Sequence, residues 1–187
     1  MVSEAVPWEA SGLDEASFEA FVAGSSARLF AMARLLTGGS RAEAEDLLQG
    51  AYERAYRHWP RISRRSDPER YVRQILVNAS VDRWRQLRRR PEIPLVADVE
   101  ARGGDSAAAV ADRDLLLRGL GELPPRQRAV LVLRYFEDMS EAQTAAMLGC
   151  SVGTVKSQAA RGLARLRDIT AGAERPSEEP TEERDAP

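Results

Sequence analysis

The stretch SEAQTAAMLGCSVGTVKSQ, Ser140 to Gln158, restricts the fold more than any other part of the chain. Ser140 and Gln143 form an S-x-x-Q capping box that opens a short helix. Gly149 supplies a turn, and Ser151 caps the helix that follows. Ala145, four residues before the glycine, is small enough for two helices to cross closely. A capped helix, a glycine turn and a second helix whose Val155 faces back toward the first make a helix-turn-helix pattern, in which the second helix enters the DNA major groove. Along that second helix Val152, Val155, Ala159, Leu163 and Leu166 form one stripe, while Thr154, Ser157, Arg161 and Arg165 form the opposite one. No acid appears before Asp168, although an ordinary solvated face mixes both signs. On the DNA reading Thr154, Ser157 and Arg161 face the groove, Gln158 sits beside them, and the stem of Lys156 reaches a phosphate. The plain alternative is a helical hairpin with a solvated polar face.

The remaining periodic segments are also helical. They run Phe18–Thr37, Arg41–Trp59, Pro68–Arg90, Asp112–Leu120 and Pro125–Phe136, with Ser140–Leu148 and Ser151–Asp168 completing the set. Asp67-Pro68 places a cap before a first-turn proline. No stretch alternates at period two, so the sequence predicts an all-α fold of two small helical domains joined by a flexible linker. The expected boundaries are a disordered N-terminus over 1–13, a first domain over 14–90, a linker over 91–111 with two prolines and a Gly-Gly pair, a second domain over 112–170, and a disordered acidic tail over 171–187.

Net charge is −2 over 187 residues, yet the charges are segregated. Residues 52–93 carry twelve bases against five acids, and residues 125–170 seven against four; the segments around both blocks are acidic. Two basic blocks point to two contacts with a polyanion. One cysteine, Cys150, and one histidine, His58, cannot build a Cys/His cluster, so zinc is excluded and no cofactor is expected. No Ser/His/Asp or Cys/His constellation can be assembled either, so an enzyme is not expected. The absence of a long apolar run or a secretory leader predicts a cytoplasmic protein without membrane insertion.

In the first domain Leu48, Tyr52, Ala55 and Trp59 share a stripe, leaving Asp46, Gln49, Glu53, Arg54 and Arg57 on other faces. The next stretch, Arg61 to Arg90, is a basic loop feeding a helix that ends in an arginine cluster. Arginines interleaved with Tyr71, Trp84 and the amide of Asn78 suit single-stranded or distorted DNA, since cations follow the backbone and aromatic faces accept bases. The alternative is core aromatics with a solvated arginine run, and taken singly Tyr71 and Trp84 fit that alternative better.

AEDLLQGAYERAY, YVRQILVNASVDRWR and LPPRQRAVLVLRYFEDMSEAQTAAMLGCSVGTVKSQAARGLARLR resemble the extracytoplasmic-function (ECF) group of bacterial RNA polymerase sigma factors, and within it the actinobacterial SigE type. The likeness covers about residues 15–170, with both domains in order. It implies a promoter-specificity subunit without catalytic residues, which binds core RNA polymerase, promoter DNA and, as a further candidate partner, an anti-sigma factor. Asp46, Gln49 and Glu53 are then expected to dock on the clamp helices of the largest core subunit, with the second domain meeting the flap of the second subunit. Arg64, Arg65, Arg70, Asn78, Arg83, Trp84 and Arg85 fall where the family melts and holds the −10 element. Arg134, Thr154, Lys156, Ser157, Gln158 and Arg161 fall where it reads the −35 element. Ala160 and Gln158 depart from the family's frequent choices.

The twenty residues from Pro91 to Val110, at about 3.3 Å each, reach roughly 66 Å, close to two turns of duplex at about 34 Å per turn. Two DNA contacts about two turns apart are therefore sterically possible. A stand-alone helix-turn-helix regulator is the rival, but it leaves the basic helix of the first domain unexplained.

Overall fold

A computed structural model describes residues 7–65, 67–87 and 107–173, with side chains over 14–65, 67–82 and 109–172. Among the described residues all regular structure is helical: α1 (Pro7–Leu36), α2 (Arg41–Tyr56), α3 (Trp59–Ile62), α4 (Pro68–Leu87), α5 (Ala107–Glu122), α6 (Pro125–Leu131), α7 (Glu141–Leu148) and α8 (Val152–Ala173). None is long and apolar enough to cross a membrane. The expected linker lies largely outside the described residues, as does most of the acidic tail.

α1 begins at Pro7, inside the segment expected to be disordered. A proline at the first helical position is preorganised for the turn, and the Ala- and Glu-rich stretch behind it propagates well. α5 likewise starts at Ala107, within the expected linker, on a run of alanines. The helix expected over Arg41–Trp59 stops at Tyr56, because Pro60 has no N–H for the Tyr56 carbonyl and its ring would collide with it. The chain restarts as the single turn α3.

Gly38 and Gly39 close α1 in the left-handed region, at φ +69° and +95°. The Gly39 N–H reaches back to the Arg34 carbonyl at 2.8 Å, satisfying one of the helix's orphan acceptors. Leu29, Met32 and Leu36 of α1 then meet Leu47 and Ala51 of α2 and Val72 and Leu76 of α4 in a buried core. Burial of each large side chain there contributes about 1.5–3 kcal/mol. Phe18, Phe21, Tyr52, Tyr56 and Trp59 stack beside it, and the Trp59 indole N–H donates to the Ser17 hydroxyl at 2.7 Å.

The second module is organised around α8. Leu120, Leu123 and Leu131 take the C-terminal half of its apolar stripe, Leu163 and Leu166 included. α6 does not run straight to Phe136: over Val132–Phe136 it widens into a π-helical turn, closed by the Glu137 N–H on the Val132 carbonyl at 3.0 Å. Four residues of this region, Ala129, Val132, Leu133 and Met147, belong to the same buried cluster as the first module. The two modules therefore share a core.

Polar contacts accompany that shared core. The Arg128 guanidinium donates to the carbonyls of Leu36 (2.9 Å), Gly121 (2.7 Å) and Leu123 (3.1 Å), tying the end of α1 to the end of α5. Burial lowers its pKa from the usual guanidinium range to about 10, with Glu43 opposing. Gln74 of α4 donates to the Met147 carbonyl at 2.6 Å, and Arg73 lies 3.4 Å from Glu137. A Cβ on Gly38 would sit 2.4 Å from the Gly121 Cα, so the backbones meet where only glycine fits.

Candidate nucleic-acid interface

α7 and α8 form the expected helix-turn-helix. The Ser140 hydroxyl accepts the Gln143 N–H at 3.2 Å while the Gln143 side chain accepts the Ser140 N–H at 2.7 Å, completing the capping box. Gly149 ends α7 in the left-handed region at φ +60°. The Ser151 hydroxyl then accepts the Thr154 N–H at 3.1 Å and starts α8. Ala145, Val155 and Val130 are buried together at the crossing, which fixes the angle of α8 against its neighbours. Val152, expected in the apolar stripe, is instead exposed, since it stands in the first turn of α8 beyond the reach of α7.

On the outer face Arg161 and Arg165 are exposed, and Thr154, Ser157 and Gln158 are half-buried. The Ser157 hydroxyl donates to the Thr154 carbonyl at 3.0 Å, and the Thr154 and Ser151 hydroxyls lie 2.9 Å apart. With its proton engaged, Ser157 offers acceptor lone pairs outward, whereas the arginines offer donors. Lys156 is exposed and sits 3.6 Å from Glu141 across the turn. Arg134, also expected at this interface, is half-buried and donates to the Met139 carbonyl, bracing the loop that enters α7.

In the first module Arg64, Arg65 and Arg70 are exposed around the loop that precedes α4. Asp67 caps α4 by accepting the Arg70 N–H at 2.8 Å. The Arg65 guanidinium lies 5.4 Å from the centre of the Tyr71 ring, and that ring is half-buried against the core. Asn78 is exposed on α4 and accepts from Gln74 at 3.2 Å. Arg83, Trp84 and Arg85 fall on the last turns of α4, with side chains outside the described residues, and Arg88 to Arg90 follow outside them.

Asp46, Gln49 and Glu53 project from the outer face of α2, where Gln49 donates to Glu53 at 3.2 Å. Gln49 and Glu53 also border a groove of about 640 Å³ between α1 and α2, floored by Phe18, Phe30, Leu48, Tyr52 and Tyr56 and edged by Glu15, Glu19 and Glu45. An apolar floor inside an acidic rim fits a helix that carries basic side chains.

One surface was missed in the sequence. Leu116, Tyr135 and Phe136 are exposed and line a groove of about 240 Å³ together with Leu120, Leu131 and Leu163. The signal was present: Leu131, Val132, Leu133, Tyr135 and Phe136 are too many apolar positions in one turn and a half for a single helix face to bury.

Comparison with known proteins joins these surfaces. Residues 21–90 match the model of sigma-70 region 2, and residues 113–166 match that of sigma-70 region 4. The chain is 44% identical over 126 residues to the RNA polymerase sigma-E factor of Streptomyces antibioticus, covering 67% of this chain and 69% of that protein. It is 37% identical over 141 residues to the ECF RNA polymerase sigma factor SigM of Mycobacterium tuberculosis, covering 74% and 69%. Among solved structures, CnrH in complex with the cytosolic domain of CnrY superposes with a TM-score of 0.56 at 25% identity, over 86% of this chain and 91% of that one. The sigma factor RpoE of Bartonella quintana, solved with the anti-sigma factor NepR, shares the fold with a TM-score of 0.63 at 24% identity, over 85% and 99%. With both regions matched in order and an identity of 44% to a sigma-E factor, the chain belongs to the sigma-70 family of RNA polymerase sigma factors, in its ECF group.

Proposed function

We propose that this sigma factor acts through four separate surfaces, three of them on or beside the residues singled out in the sequence. The outer face of α8 reads the −35 element: Arg161 suits guanine, Gln158 suits adenine, Thr154 and Ser157 discriminate less, and Lys156 follows phosphate. Arg134 supports this face by holding the loop before α7 and directs its remaining N–H groups to the backbone of the duplex. Arg64, Arg65, Arg70 and Asn78, continued along α4 by Arg83, Trp84 and Arg85, hold the separated strand of the −10 element. Unstacking costs on the order of a few kcal/mol per step, which contacts to the freed bases offset.

Asp46, Gln49 and Glu53 with the acidic-rimmed groove engage the clamp helices of core polymerase. The exposed Leu116, Tyr135 and Phe136 receive the flap of the second large subunit. Two structural relatives were solved bound to partner proteins, NepR, an anti-sigma factor, and CnrY; this supports an anti-sigma factor as a further partner of this chain. The site of action is the cytoplasm, where polymerase and chromosome meet, and the protein performs no catalysis of its own.

The observation that carries the assignment is the outer face of α8, free of acids up to Asp168, held by caps at both ends of the turn and borne on the same chain as a region that matches sigma-70 region 2. The test is run-off transcription from genomic templates by core polymerase with and without the chain. Discrete new start sites are expected only when it is added, and their absence would refute the assignment.

A further inference from the structure

We propose that Glu141, on the first helix of the helix-turn-helix, is a counter-charge that DNA phosphate has to displace from Lys156, and that it sets how much of the −35 contact rests on charge rather than on bases. The inference deepens the reading of α8 as the −35 reader and rests on it. Along the sequence the outer face of α8 meets no acid before Asp168, yet the fold brings one to it from α7. The Lys156 ammonium lies 3.6 Å from the Glu141 carboxylate, across the turn made by Gly149. Both groups stay open to solvent, the Lys156 side chain at 64% exposure and that of Glu141 at 38%. A phosphate can therefore reach the lysine, but only in competition with the carboxylate.

The backbone holds Glu141 in place. Ser140 and Gln143 close the capping box around the first turn of α7, and Glu141 is the first residue of that turn. An acid there complements the positive end of the helix dipole wherever its side chain points, so that role does not require the reach toward α8. In a helix-turn-helix the first helix crosses the DNA backbone while the second enters the groove, which sets this carboxylate beside the phosphates assigned to Lys156. An exposed ion pair adds little to stability, so its effect falls on binding. Phosphate contacts draw their affinity from counterions released when a cation replaces them. A lysine that gives up a carboxylate to meet a phosphate exchanges one anion for another and gains less. The part of the affinity that Glu141 weakens is blind to sequence, which leaves the larger share to base contacts by Arg161 and Gln158.

The test uses holoenzyme assembled from core polymerase and the full chain, carrying Glu141→Gln, Lys156→Ala or both. Each is titrated on two duplexes, a promoter found by run-off transcription and the same DNA with its −35 element scrambled. One phosphate contact changes log K by about 0.9 per tenfold change in salt, which is about eightfold between 1 M and 0.1 M. Glu141→Gln is therefore expected to bind both duplexes about three- to eightfold more tightly at 0.1 M salt, with a salt slope steeper by about 0.9. That gain should vanish when Lys156 is also alanine. Glu141→Ala, which removes the same carboxylate with a different side chain, should tighten binding as well. A rise in affinity cannot come from a damaged fold, so the readout separates competition from mere support of α7. Equal or weaker binding by both Glu141 variants overturns the proposal, and so does a gain confined to the intact promoter or one that persists without Lys156. Lys156→Ala separates the two levels. If it changes neither affinity nor slope in either background, the reading of Lys156 as a phosphate contact fails; if the lysine matters and Glu141 does not, the counter-charge alone is refuted.

Discussion

Arg128 offers the sharpest test of how the two modules are held. Replacement by alanine removes the hydrogen bonds to the carbonyls of Leu36, Gly121 and Leu123. Bonds from a charged donor are each worth about 1.5–3 kcal/mol net, but these three share one guanidinium whose burial is already costly, so the expected loss is about 3 kcal/mol rather than their sum. At about 2–4 °C per kcal/mol for a chain of this size, the midpoint of thermal unfolding should fall by roughly 6–12 °C. The pH dependence is equally specific. Because burial lowers the folded-state pKa to about 10, below the usual guanidinium range, the folded protein binds fewer protons than the unfolded chain only above about 10. Stability from this group therefore rises only in that alkaline window, and the deficit of Arg128→Ala is flat between about pH 6 and 9. Urea unfolding followed by helicity measures both. A loss below about 1 kcal/mol would refute the view that the guanidinium bridges helix ends, and so would a deficit that changes across neutral pH. Arg128→Lys should recover less than half, since one ammonium cannot reproduce the fork.

Arg161→Ala should weaken binding to promoters that carry its contacted base by about 1–3 kcal/mol and relax discrimination there, as read from run-off yields on a panel of single-base −35 variants; equal losses on every template would refute a base-reading role. Asp46→Ala with Gln49→Ala should reduce co-purification with core polymerase while leaving thermal stability unchanged, because both side chains are exposed on α2. Gly149→Ala should cost about 1–2 kcal/mol from the left-handed backbone alone, since no atom lies within 4 Å of the added carbon. At Glu137 burial raises the carboxyl pKa and Arg73 lowers it less, so the folded state holds its proton more tightly and this group's contribution falls as pH rises through the carboxylate range. In Glu137→Gln that decline disappears, and the stability difference between pH 7 and pH 5 measured in urea should become more positive than in the parent.

The helices and their start signals were legible because they depend on neighbours in sequence. Ser140 with Gln143, Ser151 and Asp67 each occupy the capping position expected of them. The basic outer face of α8 was legible for the same reason, as a stripe with no acid before Asp168. What escaped depends on residues far apart. Arg128 and Gln74 read as ordinary surface cations and amides, yet each reaches a backbone carbonyl about seventy or more positions away. Two modules separated by a linker give no local sign that Met147 and Leu133 enter the core of the other half. The break at Tyr56 was visible in Pro60, but the stripe ending at Trp59 outweighed it, and Trp59 is indeed buried although it belongs to the next turn.

The widened turn at Val132–Phe136 amounts to one residue of surplus in an otherwise regular coil. Each residue advances a helix by about 100°, so the surplus rotates everything beyond it and leaves Tyr135 and Phe136 facing outward. Excising a single position would re-thread the segment as an uninterrupted α-helix and swing both aromatic rings away from the place where a visiting helix could grip them. A length change of one amino acid thus separates a chain that presents two aromatic rings to solvent from one that turns them away.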